Sequence, residues 1–261
     1  MPTVISHDTP IYYEVFGASE PTLIFAHGMG GNAASWYNQV AAFSHNHRVI
    51  TFDHRYFARS SCPEAAFNPA WFTDDVIAIM DACDVERAIF ICQSMGGWTG
   101  SQMAVHHPTR TMGLLMSHTP GVFEHSSAVR DLTQVSQTVS RPFTEIGSPA
   151  LAADYPEKNR AGAMLYAQIS RFNGIDPSVI PRAIGAANLG VNIETLTDYS
   201  IPTRFVTADH DILFPPDFIQ AIAEHLPGAE FVNLGDAGHS SYFESPERFN
   251  ETLHSFIQTI S

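Results

Sequence analysis

Apolar positions along this chain fall into two alternating rhythms. Short runs rich in β-branched and aromatic residues predict strands at Thr22–Ala26, Arg48–Phe52, Ala88–Cys92, Gly113–Ser117, Thr203–Ala208 and Glu230–Leu234. Between them, Trp71–Cys83 carries Phe72, Val76, Ile79, Met80 and Cys83 at helical spacing. Helices are also predicted over Met95–His107, Asp217–His225 and Pro246–Ile260, the last started by Ser245 and Pro246. Several strands are almost wholly apolar, as in a sheet covered by helices on both faces. Ile11–Phe16 adds an edge strand in a hairpin with Pro2–Ser6. The predicted class is α/β, with a mostly parallel central sheet of about eight strands and helices on both faces.

The alternation stops from about Gly121 to Ser200. Only helical pieces such as Ala161–Phe172 and Ser178–Ala187 occur there, separated by Pro142, Pro149, Pro156, Pro177 and Pro181. Structureless connections longer than roughly a dozen residues are uncommon in compact domains. The expected organisation is a core of residues 1–120 and 201–261 with residues 121–200 as a helical lid.

Composition narrows the function. The 261 residues include 27 acidic and 13 basic ones, a formal charge of -14, which repels phosphate backbones and anionic membrane surfaces. Nucleic acid and membrane are therefore not expected as partners; a small-molecule substrate is, for a monomer or homodimer. Three cysteines, Cys62, Cys83 and Cys92, cannot all pair and lack metal-knuckle spacing, so they read as reduced thiols. With no signal-peptide pattern at MPTVISHDTP, a cytoplasmic location is expected. The 13 histidines include no HExxH pair, and His106 and His107 read as a solvent-facing helix end.

Chemistry gathers around the stretch FICQSMGGWTG. A strand ending at Cys92 and a helix beginning near Met95 leave Ser94 on a sharp turn, and Gly96 and Gly97 let the helix approach the neighbouring strand. Cys92 stands where a G-x-S-x-G elbow has glycine. A serine hydroxyl is a weak nucleophile unless a base takes its proton and an acid fixes that base. Two carboxylates, Asp209 and Asp211, follow one later strand, and His239 follows another on a glycine-flanked loop. Both positions fall at the carboxyl ends of strands, where ligands meet open α/β sheets.

These residues resemble the α/β-hydrolase fold serine hydrolases over nearly the whole chain. The resemblance rests on His27-Gly-Met-Gly, Asp53-His-Arg55 with Ser60, Gln93-Ser-Met-Gly-Gly, Gly238-His239 with Glu244-Ser-Pro-Glu, and Asp211 four residues before Pro215. It implies a triad in chain order: Ser94 as nucleophile, Asp211 rather than Asp209 as orienting acid, and His239 as base. It also implies an oxyanion hole from the backbone N–H groups of Met29 and Met95. No cofactor or metal is called for.

Other residues have quieter expected roles. His27 supports the oxyanion loop, Asp53 and Arg55 form a fixed charge pair behind the site, and Trp98 packs in the core. Tyr56 and Ala58 depart from the glycines common at their positions, which reshapes that loop. Phe143, Tyr166 and Phe172 are candidate pocket residues, although such aromatics equally suit holding the lid down. Arg130, Arg141, Arg160, Arg171 and Arg182 lie in the same region, where any one could receive a substrate carboxylate. The leading expectation is hydrolysis of a carboxylic ester or lactone of a small, mainly apolar substrate through an acyl-enzyme on Ser94. Alternatives on the same fold are cleavage of a carbon–carbon bond in a diketone-type substrate, lyase, acyltransferase or cofactor-free oxygenase chemistry, and a ligand receptor with a slow triad.

Overall fold

The computed structural model describes residues 2–128, 148–176 and 178–260. Its first strands are β1 (Thr3–Ser6), β2 (Thr9–Phe16), β3 (Thr22–Ala26), β4 (Val49–Phe52), β5 (Ala88–Gln93) and β6 (Thr111–Ser117). After the short strands β7 (Phe123–Glu124) and β8 (Val191–Asn192) come β9 (Thr203–Thr207) and β10 (Glu230–Asn233). Eight of them form one sheet in the order β1-β2-β4-β3-β5-β6-β9-β10. From β4 to β10 every neighbouring pair is parallel, and β2 runs against β4 and β1.

The edge of the sheet differs from expectation. β2 lies between β1 and β4, so β1 is the edge strand. The hairpin turns on His7 and Asp8, both with positive φ (46° and 58°), between the paired Ser6 and Thr9. Two successive left-handed residues give a turn whose twist matches the flanking strands.

Alternate strand residues feed two cores. Ile24, Ala26, Phe90 and Cys92 point to one face, where they meet Val76, Ile79 and Met80 of helix α2 (Phe72–Ala82) and Met103 and Ala104 of α3 (Gly96–His106). Leu23, Phe25, Ile89 and Ile91 point to the other, against Trp36, Phe43 and the terminal helix Pro246–Ile260 through Phe249, Leu253 and Phe256. This is why the central strands read as continuous apolar runs: both sides of each are buried.

The stretch between β6 and β9 contains helices Tyr155–Lys158, Arg160–Arg171 and Val179–Ala187. It also contains strand structure that the hydrophobic pattern does not reveal, since β7 and β8 pair in parallel as a separate two-stranded sheet. Two-residue strands have no readable period, and their pairing is a tertiary event. Ala163 and Tyr166 join the core beneath Leu23 and Phe25, while Val179 and Ile180 pack on Phe57, Phe67, Phe72 and Met95. Each fully buried aliphatic side chain contributes about 1.5–3 kcal/mol, so a few contacts suffice to seat these helices. The seven-residue helix α1, Tyr37–Phe43, is likewise too short to announce itself by periodicity.

Candidate active site

Ser94 sits at the joint between β5 and α3 with φ of 50°, a left-handed backbone that a non-glycine residue adopts at a cost of about 1–3 kcal/mol. The strain is held by hydrogen bonds on both sides: Ser94 N donates to Ser117 O at 3.0 Å, and Gly97 N donates to Ser94 O at 2.9 Å. Gly96 is required here, because a Cβ would stand 2.2 Å from the Ala26 carbonyl oxygen. Cys92, in place of the motif's glycine, is accommodated by a second glycine. A Cβ on Gly100 would come within 2.4 Å of the Cys92 sulfur.

The acid and the imidazole meet at the carboxyl ends of the later strands. His239 Nδ1 lies 3.0 and 3.1 Å from the two carboxylate oxygens of Asp211, and both residues are buried. Asp211 Oδ1 also accepts the N–H groups of Leu213 and Phe214, each at 2.9 Å. Burial alone would raise this carboxyl, but the His239 charge and hydrogen bonds from both neighbouring imidazoles outweigh it and hold Asp211 well below the usual carboxylate range. Asp209 faces elsewhere, accepting from Asn233 Nδ2 at 2.8 Å in an exposed position. His239 Nε2 is buried and has no hydrogen-bond partner among the described residues, so a bond to the Ser94 hydroxyl is not made in this structure.

Several residues to which the sequence assigns no role of their own position this pair. His118, just after β6, places Nδ1 2.7 Å from Asp211 Oδ2 and Nε2 2.7 Å from Ser241 Oγ. The signal available was a histidine at a strand's carboxyl end, in Ser117-His118, which has no spacing relation to Ser94, Asp211 or His239. Gln93 Nε2 donates to the His239 carbonyl at 3.0 Å. Glu244, which burial pushes above the ordinary carboxylate range, accepts from Gly238 N at 3.1 Å, Ser240 N at 3.3 Å and Ala152 N at 2.9 Å. The histidine loop is thereby tied both to the elbow and to the inserted helical stretch.

The loop after β3 carries Met29, and among the described residues the N–H groups of Met29 and Met95 donate no hydrogen bond. His27 is fully buried beneath it. Its Nδ1 lies 2.7 Å from Gly28 O, its Nε2 accepts the His54 N–H at 2.9 Å, and burial lowers its pKa to about 4. Asn32 Nδ2 donates to Ile169 O and to Asn173 Oδ1, both at 3.0 Å, fastening the loop to helix Arg160–Arg171.

The expected Asp53–Arg55 pair is not formed. Asp53 pairs with Arg59, at 2.7 Å from Nε, and accepts the Ala33 N–H at 2.8 Å. Arg55, fully buried, instead forms a two-pronged contact with Asp75 in the first turn of α2. The intervening loop explains the exchange. Tyr56 and Ala58, which hold positions where glycine was expected, both have positive φ (78° and 41°), turning Arg55 inward and bringing Arg59 back over Asp53.

Of the predicted pocket residues, Tyr166 is buried against Phe243, with burial pushing its phenol up to about 12. Its hydroxyl accepts from Ser240 Oγ at 3.1 Å, next to the histidine. Phe172 is 71% exposed at the end of its helix, which leaves a pocket-wall role for it unsupported. Phe143, Arg130 and Arg141 lie outside the described residues. Arg182 is engaged at the surface by Glu64 at 3.0 Å. Trp98 does more than pack in the core. With Thr119, Phe123, Phe214, Phe218 and Ile222 it lines a cleft of about 590 Å³, and the Phe214 ring stacks on His239 with centroids 5.8 Å apart.

A parallel sheet wrapped by helices, with a strained serine at a strand–helix joint and an Asp–His pair beyond later strands, is the arrangement of an α/β-hydrolase. Residues 21–246 match the profile of the alpha/beta hydrolase fold family, and the chain belongs to that family and is a hydrolase. Among curated proteins, 3-oxoadipate enol-lactonase 2 of Acinetobacter baylyi is 27% identical, across 98% of this chain and 96% of the relative. The solved structure of the enol-lactonase from Burkholderia xenovorans LB400 matches with a TM-score of 0.79 and 25% identity, covering 98% of this chain and 100% of that one. Est816, described as an N-acyl homoserine lactone degrading enzyme, matches with the same TM-score, identity and coverage. No described helix is long and apolar enough to cross a membrane.

Proposed function

We propose that this hydrolase cleaves a carboxylic ester or lactone of a small, mainly apolar substrate through an acyl-enzyme on Ser94. The observation that carries the reading is the Asp211–His239 pair, whose buried Nε2 has no partner among the described residues and whose loop is hydrogen-bonded through the His239 carbonyl to Gln93, the residue before the strained Ser94. Ser94 Oγ attacks the acyl carbonyl as its proton passes to His239 Nε2, and Asp211 stabilises the resulting imidazolium. The Met29 and Met95 N–H groups receive the oxyanion, each such donor being worth about 3 kcal/mol in the transition state. The proton then moves from Nε2 to the departing oxygen. Water, deprotonated by the same nitrogen, releases the acid and restores the serine.

The lactonase names of the relatives support lactones within this class, and the apolar wall of Trp98, Phe123 and Phe214 supports a small apolar group. In this reading residues 121–200 serve as the lid over residues 1–120 and 201–261, and the three free cysteines fit a cytoplasmic setting.

Turnover of short-chain aryl esters and of five-membered lactones by wild type and Ser94→Ala tests the reading, together with labelling by a fluorophosphonate. Wild type should turn over one of these classes and gain the label at Ser94. The variant should lose at least roughly 1,000-fold in kcat and remain unlabelled. An equally active variant, or label on another residue, overturns it.

A further inference from the structure

We propose that His118 is a positioning residue for the reaction, a second imidazole on Asp211 that fixes this carboxylate and sets the pH range in which His239 can act as base. The inference rests on the serine-hydrolase reading above.

Asp211 is served by four donors. Oδ1 accepts from the N–H groups of Leu213 and Phe214, both at 2.9 Å, while Oδ2 faces His118 Nδ1 at 2.7 Å and His239 Nδ1 at 3.0 Å. A triad needs one imidazole on its acid; this site has two on one oxygen, and the additional one is nearer. An ionised carboxylate only accepts, so both Nδ1 atoms carry protons. Burial lowers the His118 pKa, which keeps the ring neutral and leaves Nε2 without a proton. That nitrogen therefore accepts the hydroxyl proton of Ser241, 2.7 Å away and two residues beyond His239. Ser241 thus selects the tautomer that lets His118 donate.

The consequence concerns the charge available to His239. Each donor on Asp211 stabilises its negative charge and weakens its hold on a proton or a cation beside it. His118 consequently limits how strongly Asp211 favours a cation beside it, so loss of His118 strengthens that hold. The other groups facing His239 are the Phe214 ring and the Glu244 carboxylate held by three backbone N–H groups of neighbouring segments, while the hydroxyls of Ser240 and Ser241 are engaged by Tyr166 and His118. None of these takes over a donor's place on Asp211 Oδ2.

The test combines ¹⁵N-histidine NMR on the wild-type protein with pH–rate profiles of wild type, His118→Phe and His118→Asn. In the wild type, His118 should be the neutral Nδ1–H tautomer at neutral pH and should gain a proton only below the ordinary imidazole range. Removing its donor in His118→Phe should move the acid limb of kcat/KM to higher pH by roughly half to one unit, a three- to tenfold loss at the lower pH, with KM unchanged. Asn, whose side-chain N–H stands near the former Nδ1–H, should restore the wild-type profile. The proposal is overturned if the Phe profile superimposes on wild type, if Asn fails to restore it, or if His118 is an Nε2–H tautomer or titrates as an ordinary imidazole. Should His118→Phe not fold, the wild-type spectra and the Asn profile decide. If Ser94→Ala retains full activity, the serine reading fails on its own, and the tautomer still reports on the His118–Asp211 contact.

Discussion

Gln93, the residue before Ser94, donates from Nε2 to the main-chain carbonyl of His239 at 3.0 Å. The neighbour of Ser94 therefore holds the loop that carries His239, across 146 residues of chain. Gln93→Ala leaves that buried carbonyl unpaired, at a cost of about 1–3 kcal/mol. We expect a lower thermal midpoint and a kcat reduced roughly tenfold with KM nearly unchanged, measured by calorimetry and steady-state kinetics. Unchanged kcat in a folded variant would mean that the loop is held adequately without this bond.

The two carboxylates after β9 should separate cleanly. Asp211→Asn removes the charge beside His239 and allows the wrong imidazole tautomer, so kcat should drop by roughly 10³- to 10⁴-fold. Asp209→Asn alters an exposed contact to Asn233 and should change the rate by no more than about twofold. The reverse ranking would reassign the acid.

Burial should decide which ion pairs matter for stability. Arg55 and Asp75 are paired with almost no exposure of either side chain, and Asp75→Ala would strand a buried guanidinium at a cost of about 3–5 kcal/mol. Glu64→Ala, which breaks the exposed pair with Arg182, should change stability by under about 1 kcal/mol. Chemical denaturation of the two variants provides the comparison.

Acid should weaken the fold through its buried histidines. Buried His27 has its pKa lowered to about 4, and burial also lowers His54 and His118. Below about pH 6.5 the unfolded chain binds protons that these folded sites refuse, so stability present above that pH is lost as it falls toward 4. His27 alone accounts for roughly 3 kcal/mol over that window. Denaturation midpoints should decline from pH 7 to pH 4.5, and His27→Asn should be less stable at pH 7 with a shallower decline. A flat wild-type curve would rule the histidine contribution out.

Much of the sheet could be read directly. The strands predicted at Thr22–Ala26 and Ala88–Cys92 form within a residue of those bounds, as does helix Pro246–Ile260, because burial on both sides or on one helical face imposes a period that the chain must carry. Short elements such as Tyr37–Phe43 and the β7–β8 pair escaped, since a segment of two to seven residues holds too little of any period. The Asp53–Arg55 expectation failed for a different reason. Charge partners separated by two residues looked natural in sequence, but the left-handed turns at Tyr56 and Ala58 exchanged them for Arg59 and Asp75.

By itself the sequence determined the α/β class and the strand–turn–helix context of Ser94, because hydrophobic periodicity and a serine beside paired glycines are local and must be written where they act. The resemblance already favoured Asp211 over Asp209, but only the tertiary structure decided that its carboxylate meets His239 Nδ1 and that His118, Gln93 and Glu244 surround the pair. Those contacts join strand ends up to 146 residues apart. The physical reason is that a hydrogen bond is set by distance and direction in space, and neither leaves a period in the chain.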